Sequence, residues 1–186
     1  MAGIMKRTFL LGVVCGLSAC NGAPTSVTGE VEGATLAAGD TWAFQAGVPG
    51  TNPPALLTEI GLSDQPTFCR GDAPAGGSEL KLVVASNSSQ QATLPNGTYP
   101  VLPPQSNPTC TVCATAAFEK RDAACGHVVD DVATGGTITI SSNTSTAISG
   151  SFDLTFPDGG HLRGPFSSSL CDGFAQLDAG IPPPCR

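Results

Sequence analysis

The sequence predicts an all-β protein, a single antiparallel β-sandwich or barrel with disulfides. Apolar side chains or glycine recur at every second residue over 148–156, with serine, aspartate or threonine between them. This period of two gives a strand one apolar and one polar face. No segment keeps a helical period of 3.6 residues beyond a turn or two. Short apolar segments between glycine- and proline-rich turns are typical of all-β domains.

The composition fits one small globular domain. A chain of 186 residues is long enough for one domain or two very small ones. Hydrophobic residues make up 40% of it, which is enough for a core, although only 12% of the residues are charged. The formal net charge of −7 argues against nucleic acid, because phosphate binding needs clustered lysine and arginine. No apolar run approaches the length that a membrane-spanning helix needs.

Individual strands follow from local alternation and from the turn residues between them. Pro100 predicts an edge strand, because proline donates no hydrogen bond to a neighbour. Gly150 and Gly164 lie inside strands and indicate a bulge or a close backbone approach. The segment 55–60 fits a strand or a helical turn. The predicted strands, including that segment, are 27–31, 41–45, 55–60, 80–84, 98–101, 112–118, 137–140, 148–156 and 162–166. Three loops rich in glycine, proline and asparagine, at 47–54, 71–78 and 102–109, are candidate binding surfaces.

The first 19 residues read as an export signal. Lys6 and Arg7 precede a short apolar stretch over 9–17, and small residues follow it. The four residues at its end resemble the bacterial lipobox; they are Leu17, Ser18, Ala19 and Cys20. The resemblance implies cleavage before Cys20 and acylation of that residue on its sulfur and its amine. The alternative is an ordinary secretory signal that a cysteine happens to follow.

The lipobox resemblance implies a membrane anchor and three segments. These are a signal peptide at 1–19, a lipidated tether at 20–26 and a β-rich domain at 27–186. Each buried CH₂ contributes about 0.8 kcal/mol, so two or three acyl chains hold a protein on a membrane. Asn21, by resemblance to enterobacterial sorting, implies the outer membrane of a Gram-negative bacterium. After cleavage six Lys and Arg would face fifteen Asp and Glu, 6 − 15 = −9, so acyl chains rather than a basic patch would make the contact.

Six cysteines remain after the signal and Cys20 are set aside. They are Cys69, Cys110, Cys113, Cys125, Cys171 and Cys185. An even number in an exported chain indicates disulfides, and six cysteines permit 15 pairings. Cys185 would hold the proline-rich tail, with Cys171 as its candidate partner. The alternative is a Cys/His metal-binding module, in which the sulfurs of Cys110, Cys113 and Cys125 would converge on His127. The second half of that motif lacks the usual ligand spacing, so we expect no metal and no cofactor.

The sequence contains no recognisable catalytic centre. A hydrolase would need His127 or His161 as its base, and no Gly-x-Ser-x-Gly elbow is present. His161 reads as an exposed turn histidine beside Asp158. Asp130 and Asp131 read as part of a solvated loop, because no calcium-binding pattern surrounds them. An enzyme is therefore the less favoured interpretation.

A second resemblance covers most of the chain after the signal. The motifs VTGEVEG at 27–33, GGTITI at 135–140 and ISGSFDLTF at 148–156 are similar to a group of uncharacterised lipoproteins of myxobacterial type. The resemblance implies a β-rich envelope domain and supplies no catalytic residues. The leading hypothesis is a non-catalytic binding or structural module at the cell envelope, with an envelope protein or glycan as its partner. The alternatives are an envelope hydrolase that uses His127 or His161, or the Cys/His metal module.

Overall fold

The protein is all-β, as the sequence predicts. A computed structural model describes residues 25–48, 55–66, 75–86, 94–103 and 111–171. Within these ranges every regular element is a strand, and no helix is long and apolar enough to cross a membrane. The ten strands are β1 (Thr28–Glu30), β2 (Asp40–Val48), β3 (Ala55–Ser63), β4 (Ser78–Ser86), β5 (Gly97–Pro100), β6 (Val112–Arg121), β7 (His127–Val132), β8 (Gly135–Asn143), β9 (Ala147–Thr155) and β10 (His161–Ser169).

The strands form two antiparallel five-stranded sheets. The first sheet has the order β1-β10-β9-β8-β5, and the second has the order β2-β3-β4-β6-β7. In the part of the chain that the structure describes, neither sheet closes on itself. Apolar side chains from both sheets make one buried core, and the rings of Phe118 in β6 and Phe156 after β9 meet edge to face at 6.5 Å. Such an arrangement lets each strand bury one face and expose the other.

The predicted long hairpin and the edge proline are both confirmed. β9 and β10 pair antiparallel, and Phe152, Leu154 and Leu162 are buried. β5, which contains Pro100, lies at one edge of the first sheet. The segment 55–60 is part of a strand, β3, and not a helical turn. The alternation of apolar and polar residues therefore located these elements correctly.

The prediction of a solvated loop at Asp130 and Asp131 was wrong. Both residues lie in β7, which pairs with β6 at the edge of the second sheet. The register of this pair shifts between Lys120 and Arg121, so a bulge begins the strand. An edge strand packs against fewer neighbours than an inner strand, so it needs fewer apolar residues. β7 accordingly has two adjacent aspartates where an inner strand would alternate apolar and polar residues. Its sequence signal is therefore weak.

The two glycines inside β9 and β10 permit close backbone approaches. A Cβ atom on Gly150 would lie 1.9 Å from the backbone oxygen of Thr139, and one on Gly164 would lie 2.7 Å from that of Ser26. The β8–β9 register shifts between Ile140 and Ser142, beside Gly150. The predicted bulge or close approach is thus confirmed at Gly150. Residues 25–27, which follow the predicted tether, run directly against β10 for the same reason.

The second sheet also buries a layer on the side away from the core. Trp42 and Phe44 lie in β2, where Ala43 between them joins the core. The two rings stack at 6.0 Å, and the indole Nε1 of Trp42 donates to the buried carboxylate Oε1 of Glu79 at 3.0 Å. Gly61 lies beneath the indole, because a Cβ there would be 2.0 Å from Trp42 Cε2. This outer layer is therefore fixed by shape and by a hydrogen bond as well as by burial.

Candidate functional site: the hydroxyl face

The outward side of the first sheet is covered mainly by hydroxyl side chains. We call it the hydroxyl face. Alternation turns the apolar positions of β8, β9 and β10 toward the core and every other residue outward. The outward serines and threonines are Thr28, Thr98, Thr137, Thr139, Ser141, Ser149, Ser151, Thr155 and Ser167. All of them are exposed or half-buried.

Strand register arranges these hydroxyls in rows across the sheet. Thr98 pairs with Thr139, which pairs with Ser151, and the two threonine Oγ1 atoms lie 3.0 Å apart. A second row runs through Thr137 and Asp153 to the charged end of the face. Directly opposed side chains are about 5 Å apart. The face is therefore a regular surface of groups that can each donate and accept a hydrogen bond.

The charged end of the face is built around His161 and Asp153. His161 Nε2 lies 2.6 Å from Asp153 Oδ1, with side-chain exposures of 43% and 60%. His161 pairs with Thr155 in the β9–β10 register, so Asp153 is its diagonal neighbour. This differs from the predicted turn histidine beside Asp158, since His161 is the first residue of β10. Among the described residues, Asp153 is the one side-chain hydrogen-bond partner of His161. No hydroxyl group in these ranges is hydrogen-bonded to the imidazole, as the nucleophile of a serine hydrolase would be.

A groove of about 540 Å³ lies beside this pair, over the paired strands β1 and β10 and the turn that precedes β10. Its walls include Glu30, His161 and Arg163. Arg163 Nε is 3.4 Å from Thr28 Oγ1, and Arg163 also borders the neighbouring depression over Ser151 and Asp153. The groove therefore presents a guanidinium, an imidazole and two carboxylates, those of Glu30 and Asp158, to one open space.

The turn that closes the groove is fixed by Asp158. Its carboxylate accepts the backbone N–H of Glu32 and that of Gly160, each at 2.7 Å. These backbone hydrogen bonds, first from Glu32 and then from Gly160, lower the pKa of Asp158. Glu32 has a positive φ of 48°, which turns the chain after β1 toward this carboxylate. Asp158 thus positions the groove wall and remains ionised.

His127 lies far from the hydroxyl face, at the start of β7. Its Nδ1 is 3.3 Å from Glu119 Oε1 and 3.6 Å from Asp130 Oδ2, and Arg121 contacts the same Glu119 oxygen. The imidazole is half exposed. In the ranges that the structure covers, no group of three or more histidine, cysteine, aspartate or glutamate side chains could hold a metal ion. His127 takes part in a surface ion-pair cluster.

Three of the six candidate disulfide cysteines fall within the described residues. Cys113, Cys125 and Cys171 are disulfide-bonded. Cys113 lies at the start of β6, whereas Cys125 follows the end of that strand. Eight residue steps from Cys113 to Arg121 span about 26 Å, so these two sulfurs do not converge on His127. Cys69, Cys110, Cys185 and the predicted lipidation site Cys20 lie outside the described ranges, as do most of the three candidate loops.

Sequence alternation could have located the hydroxyl face, because serine and threonine occupy the outward positions of residues 137–141 and, apart from Asp153, of 149–155. The contact between His161 and Asp153 has no such local signal, since it depends on the register of the hairpin. No family model, curated protein or solved structure matches this chain.

Proposed function

We propose that the protein is a lipid-anchored lipoprotein of the bacterial envelope and acts there as a non-catalytic binding module of the β-sandwich type. The observation that supports this proposal is the hydroxyl face, with Arg163 and the His161–Asp153 pair at one end. A binding module needs a preformed surface and no titrating nucleophile. The ordered rows supply that surface on rigid strands rather than on loops.

A glycan is the ligand class that this surface fits best. Each serine or threonine hydroxyl both donates and accepts a hydrogen bond, which matches the hydroxyl groups of a sugar chain. Thr139 and Ser151 lie near the middle of the rows, whereas the guanidinium of Arg163 at the end can bind a carboxylate on the same chain. The envelope of a bacterium offers such glycans close to the membrane.

The predicted tether would keep the binding face close to the bilayer. Four residues, 21–24, separate the acylated Cys20 from Thr25, where the described fold begins, so five Cα-to-Cα steps join the two. Fully extended, they span about 17 Å. Because residues 25–27 run against β10, the hydroxyl face would start near the membrane surface.

Disulfides within the six cysteines complete the proposed domain. Cys171 donates its N–H to Ala43 in β2, and β2 lies three strand spacings, about 14 Å, from β6. A disulfide needs Cα atoms within about 7 Å, so Cys171 does not bond Cys113. Cys113 and Cys125 do not bond each other either, because they lie at opposite ends of β6, which spans about 26 Å from Cys113 to Arg121. Each of these cysteines therefore needs a partner from the other three.

Chain connectivity supports one pairing among the 15, which we propose. Cys110 is three residues before Cys113 in the sequence, which makes Cys113 the partner that we propose for it. Cys69 belongs to the β3–β4 connection, and Gly76 in that connection donates its N–H to Asp122, beside Cys125. The remaining two cysteines are near the carboxyl end. The pairs that follow are Cys110–Cys113, Cys69–Cys125 and Cys171–Cys185.

Cys20→Ala should release the protein from membranes. The wild type should sediment with membranes in high salt, and its intact mass should correspond to a chain that begins at an acylated Cys20. A non-reducing peptide map of the same sample should contain the three proposed cystine pairs. Cys171→Ala serves as the control, because it removes a cysteine and leaves the acyl chains. Sedimentation of Cys20→Ala with membranes in high salt would contradict the anchor.

Ser151→Lys should weaken binding of the detergent-solubilised protein to isolated peptidoglycan sacculi by about tenfold, because a long cationic chain covers the hydroxyl rows. Ser145→Lys, in the exposed β8–β9 turn, is the matched control and should bind as the wild type does. Cosedimentation over a range of sacculus concentrations measures both. Equal binding by the two variants would show that the hydroxyl face is not the binding surface.

A further inference from the structure

Two open sheets have four edges, and three of these edges are short or covered. β1 has three residues, and β5 has four residues and includes Pro100. The edge of β2 is covered where Leu170 forms a parallel bridge to Ala43. Short strands, proline and a covering segment are the usual means by which proteins prevent strand addition at an edge. The fourth edge, β7, is longer than β1 and β5 and has no proline or covering segment among the described residues; a bulge at its start and the core-side Asp131 are its protective features.

β7 is a six-residue edge strand with apolar side chains in solvent. Val128 is 54% exposed and Val132 is 36% exposed, and within the described ranges they are the two exposed large hydrophobic residues. Val132 pairs with Ala117 and Asp130 with Glu119, so all four are on the outward side of the sheet. Val128 is the extra residue of the bulge, between the paired His127 and Val129, and its side chain is exposed to solvent. The strand therefore offers backbone groups and two valine contacts along one edge.

The charges on β7 determine which chain can add to it. Asp130 is 64% exposed, and its Oδ2 lies 3.6 Å from His127 Nδ1. Glu119, its cross-strand neighbour, contacts Arg121, whereas Asp131 pairs with Phe118 on the core side. A second copy paired antiparallel about the middle of β7 would bring the two Asp130–Asp131 pairs to opposite or diagonal positions. Like charges in such positions are destabilising. A segment with lysine or arginine next to β-branched residues would instead neutralise them.

We propose that the β7 edge is a docking site for an extended, lysine- or arginine-bearing segment of another protein, which adds antiparallel to β7 as a sixth strand of the second sheet. Backbone hydrogen bonds to the edge supply the affinity, the two valines contact alternate side chains of the segment, and Asp130 selects its positive charge. The site is separate from the hydroxyl face, which belongs to the other sheet.

A labelled peptide of about nine alternating lysine and valine residues is a suitable probe. Fluorescence anisotropy with the whole protein should show binding that weakens with added salt. A peptide with a central proline should bind at least about tenfold more weakly, because proline lacks the backbone N–H that would donate a hydrogen bond to β7. Hydrogen exchange of the wild-type protein should slow at residues 127–132 when the peptide is present.

Asp130→Lys should weaken binding of the lysine peptide by at least about tenfold. Glu32→Lys makes the same charge change at an exposed turn and should leave the affinity for this peptide within about twofold of the wild type. Equal losses in both variants would mean non-specific attraction and overturn the proposal. Equal binding of the proline peptide, unchanged exchange at β7, or no binding of the lysine peptide would also overturn it. So would self-association that Asp130→Lys strengthens, because β7 would then pair with a second copy.

Discussion

Phe118→Ala should lower the free energy of unfolding by about 3–5 kcal/mol. Phe118 is fully buried in β6, and its ring meets that of Phe156 edge to face, so it joins the two sheets across the core. Alanine removes the ring, its apolar burial and the aromatic contact, and leaves a cavity between Leu80 and Phe156. Urea unfolding followed by far-ultraviolet circular dichroism measures the change.

Thr115→Ala is the control for Phe118→Ala. Thr115 is on the same strand but is exposed on the other side, so its replacement should change the unfolding free energy by no more than about 0.5 kcal/mol. A Phe118→Ala protein as stable as the control would mean that the two sheets do not share this core. A change in the denaturant slope would need separate treatment, because it reports on exposed surface rather than on stability.

Gly150→Ala should destabilise the protein by about 3 kcal/mol, near the upper end for overpacked sites. The added Cβ would lie 1.9 Å from the backbone oxygen of Thr139 and 2.7 Å from Phe166 Cζ. A backbone carbonyl in the neighbouring strand cannot rotate away as a flexible side chain can. The β8–β9 pairing beside the bulge must therefore separate, and thermal unfolding should show a lower midpoint.

Gly135→Ala tests the same exchange without the contact. Gly135 is in β8, in the same sheet, and no atom of the described residues lies within 4 Å of the position that a Cβ would take. We expect this variant to be as stable as the wild type or slightly more stable, because alanine restricts the unfolded chain. If both glycine variants unfold at the same temperature, the close approach at Gly150 is absent in solution.

The fold class could be predicted because alternation in strands such as β9 is a local property of the chain. The side of each strand that faces the core was harder to predict. Residues 41–45 alternate, but alternation does not state which side packs on the other sheet. Ala43 takes the core side, and the larger Trp42 and Phe44 are buried on the other side. That outcome depends on Gly61 and Glu79, which come from two other strands.

The candidate site was only partly predictable for a related reason. The sequence identifies His161 as one of two histidines and predicts an exposed turn position beside Asp158, with no bonding partner for the imidazole. Asp158 instead uses its carboxylate to bind two backbone N–H groups, and the β9–β10 register brings Asp153 to the imidazole. A shift of one residue in that register would have moved Asp153 to the core side. Contacts of this kind follow from pairing, which local sequence does not encode.

The indole of Trp42 gives this protein a built-in optical reporter. It is the chain's one tryptophan, so all indole emission comes from a single place outside the main core. Its ring lies over Gly61 beside Phe44, and its N–H donates a hydrogen bond to the buried carboxylate of Glu79. A red shift of the emission at a lower denaturant concentration than the change in circular dichroism would therefore show that the outer layer unfolds before the core between the two sheets.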